Sequence, residues 1–181
     1  GRDAVRKRTK PITQIILHHT GGEGSEVAVY RTLKQRGLSV HFYIRQDGAI
    51  YQYCDLALVA AHAGHPTNGR SIGIGIANRG VPPSHRKYPR GAYSTTIHGR
   101  SLDMLHLYGE QVDAIRGLLD VLCGGLNIPR WVARRRGSVA ETVLPPKALE
   151  KFKGVLGHFQ VSRQKIDPGT AIFETLTDEG Y

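Results

Sequence analysis

Two short apolar runs, 12–20 (ITQIILHHT) and 71–78 (SIGIGIAN), constrain the fold of this chain most strongly. Both are rich in isoleucine, and β-branched runs of this length indicate buried strands. Segments with helical spacing alternate with them, most clearly 109–125, in which Val112, Ile115 and Leu119 fall on one face. Strands interleaved with helices predict an α/β domain with a mixed central β-sheet flanked by helices.

Turn and capping residues divide the rest of the chain. Ser25 is a plausible N-cap for a short amphipathic helix that stops at Gly37, and Gly124 with Gly125 stops the 109–125 helix. The Asp-Gly pair in LSVHFYIR-QDG-AIYQYC favours a β-hairpin. Residues 79–100 are rich in Pro, Gly, Arg and Tyr without periodicity, which predicts a long surface loop beside a site.

Size and charge limit the class of protein. The 181 residues, 40% hydrophobic, suit one domain, which we place at 12–181 after a basic lead-in at 1–11. A net charge of +10 favours a polyanionic partner such as cell wall, nucleic acid or an anionic membrane surface. No run approaches the roughly 20 apolar residues of a membrane span. The basic opening has no apolar stretch, so it shows no export signal.

Cysteine and histidine usage points to one kind of metal site. Cys54 and Cys123 are too few for a cysteine zinc site, and the sequence leaves open whether they pair. Nine histidines are available instead. His18 lies where a buried strand ends, and His158 lies nine residues before Asp167. Two histidines and a carboxylate from distant segments suit a zinc ion that keeps its fourth position open for water.

The ordered motifs IILHHT, VHFYIRQDGAIYQ, AAHAG, SIGIGIAN and GHFQVSRQKIDPG resemble the zinc N-acetylmuramoyl-L-alanine amidases of the type-2 family, which share a fold with peptidoglycan recognition proteins. The resemblance runs from Ile12 to Gly169. It implies the type-2 amidase fold, hydrolysis of the bond between N-acetylmuramic acid and L-alanine, a periplasmic or secreted location, and peptidoglycan or a muropeptide as partner.

The resemblance also implies roles for individual residues. The zinc (Zn2+) ligands would be His18, His158 and Asp167, and Lys165 would stabilise the oxyanion. His62 of the AHAG motif would line the substrate groove, while His41 could equally be a buried core histidine. Asn78 and Arg86 are further candidates for substrate binding, Arg86 through stem-peptide carboxylates. His19 faces away from His18 on a regular strand, which favours packing.

The chain departs from the family where a general base is expected. One branch of the family carries Tyr before the HF motif, where this chain has Val40, and another reads SIGIE, where this chain has Gly75. Residues 56–102 contain no Asp or Glu. Asp167 could shuttle the proton, or Glu23 or Glu141 could reach in from a loop. The alternative is a peptidoglycan-binding homologue with weak or no hydrolysis.

A third hypothesis, nucleic-acid binding, draws on the arginines 134–136 and the basic loop around Arg86. The same charges can solvate the surface or steer the protein to an anionic wall. We therefore expect no nucleic-acid partner.

Overall fold

The computed structural model describes residues 6–81 and 90–177. Its strands are β1 Arg6–Lys7, β2 Gln14–His19, β3 Phe42–Ile44, β4 Ile50–Gln52, β5 Leu58–Val59, β6 Ser71–Ile76, β7 Ala92–Ile97, β8 Arg100–Leu105, β9 Arg134–Arg135, β10 Ser138–Val139 and β11 Gly154–Gly157. Its α-helices are α1 Glu26–Gln35, α2 Gly109–Leu126, α3 Pro146–Lys151, α4 His158–Val161 and α5 Ala171–Thr177, and a 3-10 turn covers Thr67–Arg70.

A five-stranded mixed sheet forms the centre, in the order β11-β2-β6-β3-β4. The first four strands are parallel, and β4 pairs antiparallel with β3 as the predicted hairpin. This architecture confirms the predicted α/β class with a mixed central sheet. It also brings the carboxyl ends of the two predicted buried strands, β2 and β6, to one edge.

The two faces of the sheet differ in the size of their side chains. One face carries Ile15 and Leu17 of β2 and the isoleucines of β6, which pack with residues of α2 such as Ile115. On the other face of β6 the alternate positions are Ser71, Gly73 and Gly75. Small residues on this face leave room for polar groups above the sheet.

The structure corrects two element predictions and confirms a third. Half of the predicted loop 79–100 is wrong, because β7 pairs with β8 through a turn at His98 and Gly99, both with positive φ. Helix α2 runs past Gly124 and Gly125 and ends at Asn127, which adopts the left-handed conformation that asparagine tolerates. Ser25 caps α1 as predicted, and the apolar face of this helix is partly covered, with Val29 and Leu33 half-buried and Tyr30 against Tyr53.

The described part of the basic lead-in contacts the domain. Strand β1 pairs with β5, and the guanidinium of Arg8 donates to the carbonyls of Leu56, Leu58, Gly69 and Ser71. The division at residue 11 stays a prediction. Cys54 and Cys123 are both buried and unpaired. Within the described ranges, we find no helix long and apolar enough to cross a membrane.

Candidate metal centre

The end of β2 and the end of β11 bring two histidines together. These strands are parallel neighbours with Leu17 opposite Gly157, so the residues that follow, His18 and His158, lie side by side. Asp167 reaches the same point because its carbonyl accepts a hydrogen bond from the backbone N–H of Phe159 at 3.1 Å. The sheet register therefore aligns residues 140 positions apart in the sequence.

Two glycines allow the Asp167 turn to approach this closely. A Cβ on Gly157 would lie 2.4 Å from the ring of Phe159 and 3.1 Å from Pro168. A Cβ on Gly169, whose φ is +85°, would lie 2.1 Å from the hydroxyl of Tyr93. Any other residue at either position would push the turn away from the histidines.

Three donor atoms converge in a triangle. Nδ1 of His18 lies 3.0 Å from Nδ1 of His158 and 3.3 Å from Oδ2 of Asp167. The third side, from Nδ1 of His158 to Oδ2 of Asp167, is 3.1 Å. Neighbouring ligands of a tetrahedral zinc ion with bonds near 2.0 Å are about 3.3 Å apart. This His-His-Asp group therefore fits the zinc site of a type-2 amidase.

The electrostatics of the triangle suit a cation. Burial lowers the pKa of His18, which favours the neutral imidazole that a metal ion binds. Burial acts to raise the pKa of Asp167, but the adjacent rings of His158 and His18 outweigh it and hold that pKa well below its usual range. At neutral pH the group therefore presents the neutral ring of His18 and the negative charge of Asp167.

His62 stands behind the triangle and contacts His18. Its Nδ1 is 2.9 Å from Nε2 of His18, and its Nε2 is 3.2 Å from Oγ of Ser71. Both ring nitrogens therefore contact groups of the protein, the ring is half-buried, and the groove-lining role of His62 stays a prediction. Ser71 was missed by the sequence analysis, although small residues at alternate positions of a buried strand can indicate that a ring packs above them.

Three further residues were predicted to belong to the site: Lys165, Asn78 and Arg86. Lys165 is exposed, and its charge acts on His18. Asn78 is fully buried and its amide bonds the backbone of Leu105 and Gly80, which does not suit the predicted substrate contact. Arg86 lies outside the described residues.

The two remaining histidines of the core differ in their bonding. His41 accepts from the N–H of Gly73 and contacts the carbonyl of Leu58, so it is the buried, hydrogen-bonded histidine that the sequence left as one of two options. His19 points to the face opposite His18, as predicted for a packing residue.

The position expected for a general base is lined with methyl groups. Gly75 pairs with His18 across β6 and β2, and a Cβ built on it would lie 3.4 Å from Cγ2 of Thr20 and 3.6 Å from Cγ2 of Val40. Two alternative carboxylates, Glu23 and Glu141, do not belong to the converging group. Glu23 pairs with Arg90, and Glu141 is exposed.

The sequence profile of the family Amidase_2, described as N-acetylmuramoyl-L-alanine amidase, matches residues 8–170. The chain therefore belongs to this family, in which a mixed α/β sheet and a His-His-Asp group are expected. No curated protein matches the chain significantly.

Solved structures share the fold at low sequence identity. The N-acetylmuramoyl-L-alanine amidase LysC from Clostridium intestinale URNW is 21% identical, with a TM-score of 0.60 over 96% of this chain and 91% of its own. The E. coli amidase AmiD, solved with an anhydro-N-acetylmuramic acid peptide substrate, is 19% identical, with a TM-score of 0.60 over 93% of this chain and 57% of its own. The Drosophila peptidoglycan recognition protein SD is 20% identical, with a TM-score of 0.54 over 94% and 83%.

Proposed function

We propose that this protein is a zinc hydrolase that cleaves the amide bond between N-acetylmuramic acid and L-alanine in peptidoglycan. The observation that carries the proposal is the triangle of His18, His158 and Asp167, with sides of 3.0 to 3.3 Å, in a member of the amidase family. When bound, zinc lowers the pKa of a water molecule toward about 7 and polarises an amide carbonyl.

The chain's own residues would hold the ion and stabilise charge. His18 and His158 would bind through Nδ1 and Asp167 through Oδ2, and a zinc ion with three protein ligands would keep a fourth position for water. Lys165 is exposed and close enough for its charge to act on His18, and it would donate to the oxygen that gains negative charge as the amide is attacked. A well-placed donor of this kind contributes roughly 3 kcal/mol.

The identity of the general base determines the expected rate. Oδ2 of Asp167 would be bound to zinc in the proposed site, so this carboxylate is poorly placed to shuttle a proton as well. The carboxylate of Glu23 is bound by Arg90. A missing base typically costs about two to four powers of ten in rate, and we expect slow hydrolysis.

The second candidate is a peptidoglycan-binding homologue that hydrolyses weakly or not at all. The methyl groups of Thr20 and Val40 around Gly75 favour it, because they occupy the place beside His18 where the family resemblance expects a carboxylate or a phenol. Both candidates take the same ligand, so binding of muropeptide alone does not separate them.

Gly75→Glu tests the two candidates directly, with Gly75→Gln as a control of equal size without charge. The zinc-loaded parent should release free stem peptide slowly from muropeptides, and Gly75→Glu should release it about 10²- to 10⁴-fold faster. Release by Gly75→Glu but not by the parent would establish the binding homologue. If zinc-loaded parent and Gly75→Glu both release nothing, the amidase proposal is wrong.

The proposed substrate implies a location. Peptidoglycan lies outside the cytoplasmic membrane, so we place the protein in the periplasm or outside the cell. Cell fractionation with an antibody to the protein tests this, and recovery in the cytoplasm alone would contradict it.

A further inference from the structure

We propose that a hydrogen-bond relay from Thr67 through Ser71 and His62 fixes the tautomer of His18, so that its Nδ1 faces the metal centre as a lone pair. His62 is thereby a positioning residue that acts through His18. The inference rests on the proposed zinc site and adds the part of the chain that prepares it.

The relay is a continuous series of three contacts. The hydroxyl of Ser71 donates to the carbonyl of Thr67 at 2.8 Å. Oγ of Ser71 is 3.2 Å from Nε2 of His62, and Nδ1 of His62 is 2.9 Å from Nε2 of His18. The series begins at a backbone carbonyl and ends on a ring nitrogen of a proposed ligand.

The carbonyl at the start sets the direction of every hydrogen bond that follows. A carbonyl only accepts, so it takes the single hydroxyl proton of Ser71. Oγ of Ser71 must then accept from Nε2–H of His62, whose Nδ1 is left as an acceptor. That acceptor takes the proton on Nε2 of His18, and Nδ1 of His18 keeps its lone pair.

If every hydrogen bond of the relay ran in the opposite direction, His18 could not bind the metal ion through Nδ1. If Nδ1 of His62 carried the proton, Nε2 of His18 would accept it, and a neutral His18 would carry its own proton on Nδ1, facing the triangle. A protonated nitrogen cannot bind a metal ion. The reversed relay would also require the Ser71 hydroxyl to leave the Thr67 carbonyl and donate to His62.

Packing keeps the first hydrogen bond of the relay out of water and makes room for the ring of His62. Ser71 is fully buried and Thr67 is 3% exposed, so water does not compete for their hydrogen bond. Gly73 makes room for the ring, because a Cβ on it would lie 2.6 Å from Cγ of His62. The small residues of the SIGIG strand thus leave the space that the ring of His62 occupies.

Zinc affinity, measured by competition with a chromophoric chelator at pH 8, tests the relay without reference to activity. Loss of such an outer contact typically weakens metal binding by about 10- to 100-fold, and we expect this of His62→Phe. Ser71→Ala should weaken zinc binding in the same direction but less. His62→Asn should recover part of the affinity, because the amide oxygen can stand near the position of Nδ1.

His41→Asn is the matched control. His41 is also a buried histidine beside Gly73, but its nitrogens bond Gly73 and Leu58 rather than a proposed ligand. It should lose stability and keep the zinc affinity of the parent. A folded His62→Phe that binds zinc as tightly as the parent would overturn the relay.

The ring-nitrogen NMR spectrum of the zinc-free parent at pH 8 gives an independent reading. The relay predicts that neutral His18 carries its proton on Nε2, and a proton on Nδ1 would contradict it. If the parent fails to bind zinc, the proposed function is wrong, whereas this spectrum still decides the direction of the relay.

Discussion

At the scale of single residues, histidine has different roles according to what encloses the ring. His18 and His158 stand at the carboxyl ends of neighbouring strands, where they meet Asp167. His62 bonds His18 from behind, and His41 bonds the backbone of Gly73. The sequence indicated His18 from its place at the end of a buried strand, and His158 from its spacing to Asp167 and from the family resemblance. It predicted a groove-lining role for His62 and left two options for His41, because the partners of these two rings lie far away in the chain.

Because His41 is buried, we expect the folded protein to lose stability in mild acid. Burial, aided by the nearby Arg8 guanidinium, lowers its pKa to about 4, against about 6.5 in the unfolded chain. Because the folded state favours the neutral ring, this contribution is complete above pH 6.5 and is lost as the pH falls toward 4. The difference between the two pKa values corresponds to about 3 kcal/mol in the free energy of unfolding.

Urea denaturation of the zinc-free protein between pH 7.5 and 4.5 measures this contribution. The free energy of unfolding of the parent should fall more steeply than that of His41→Asn, because the other histidines titrate in both proteins. Parallel curves would show that His41 does not carry the effect.

At the scale of elements, the position of a strand in the sequence was easier to predict than the strands with which it pairs. The runs of isoleucine and the Asp-Gly turn predicted β2, β6 and the β3–β4 hairpin correctly, because these patterns are local. The β7–β8 hairpin was missed, since its strands are polar on the exposed side and the Arg- and Pro-rich stretch before them obscured the boundary. The pairing of β1 with β5 depends on a contact that no local pattern records.

The contacts of Arg8 lead us to expect that the N-terminal strand β1 stabilises the folded domain. Its guanidinium satisfies carbonyls of three segments, at Leu56 and Leu58, at Gly69 and at Ser71. Arg8→Met keeps the length of the side chain but leaves these carbonyls without their donor, so we expect a loss of about 2–4 kcal/mol in the free energy of unfolding.

Lys7→Met is the control for Arg8→Met, because Lys7 belongs to the same strand and is exposed. Thermal unfolding of the two variants beside the parent makes the comparison. Equal midpoints for Arg8→Met and the parent would contradict the importance given to Arg8.

At the scale of the whole molecule, the net charge of +10 predicts how the protein finds its ligand. A positive surface field attracts an anionic cell wall, and salt screens that attraction over about 10 Å at 0.1 M. Co-sedimentation with isolated cell walls should therefore weaken between 50 and 300 mM salt. Binding of a small muropeptide, which carries far fewer charges than the wall, should change less, and an equal loss for both ligands would argue against steering by the overall charge.

The central claim concerns one zinc ion held by residues that meet only in the folded chain, and zinc content tests it most directly. After loading and exhaustive dialysis, elemental analysis should find one zinc per parent molecule and per His41→Asn molecule. His18→Ala, His158→Ala and Asp167→Ala should each lose most of it. Zinc-free parent protein, or full zinc content in any of these three variants while folded, would contradict the account.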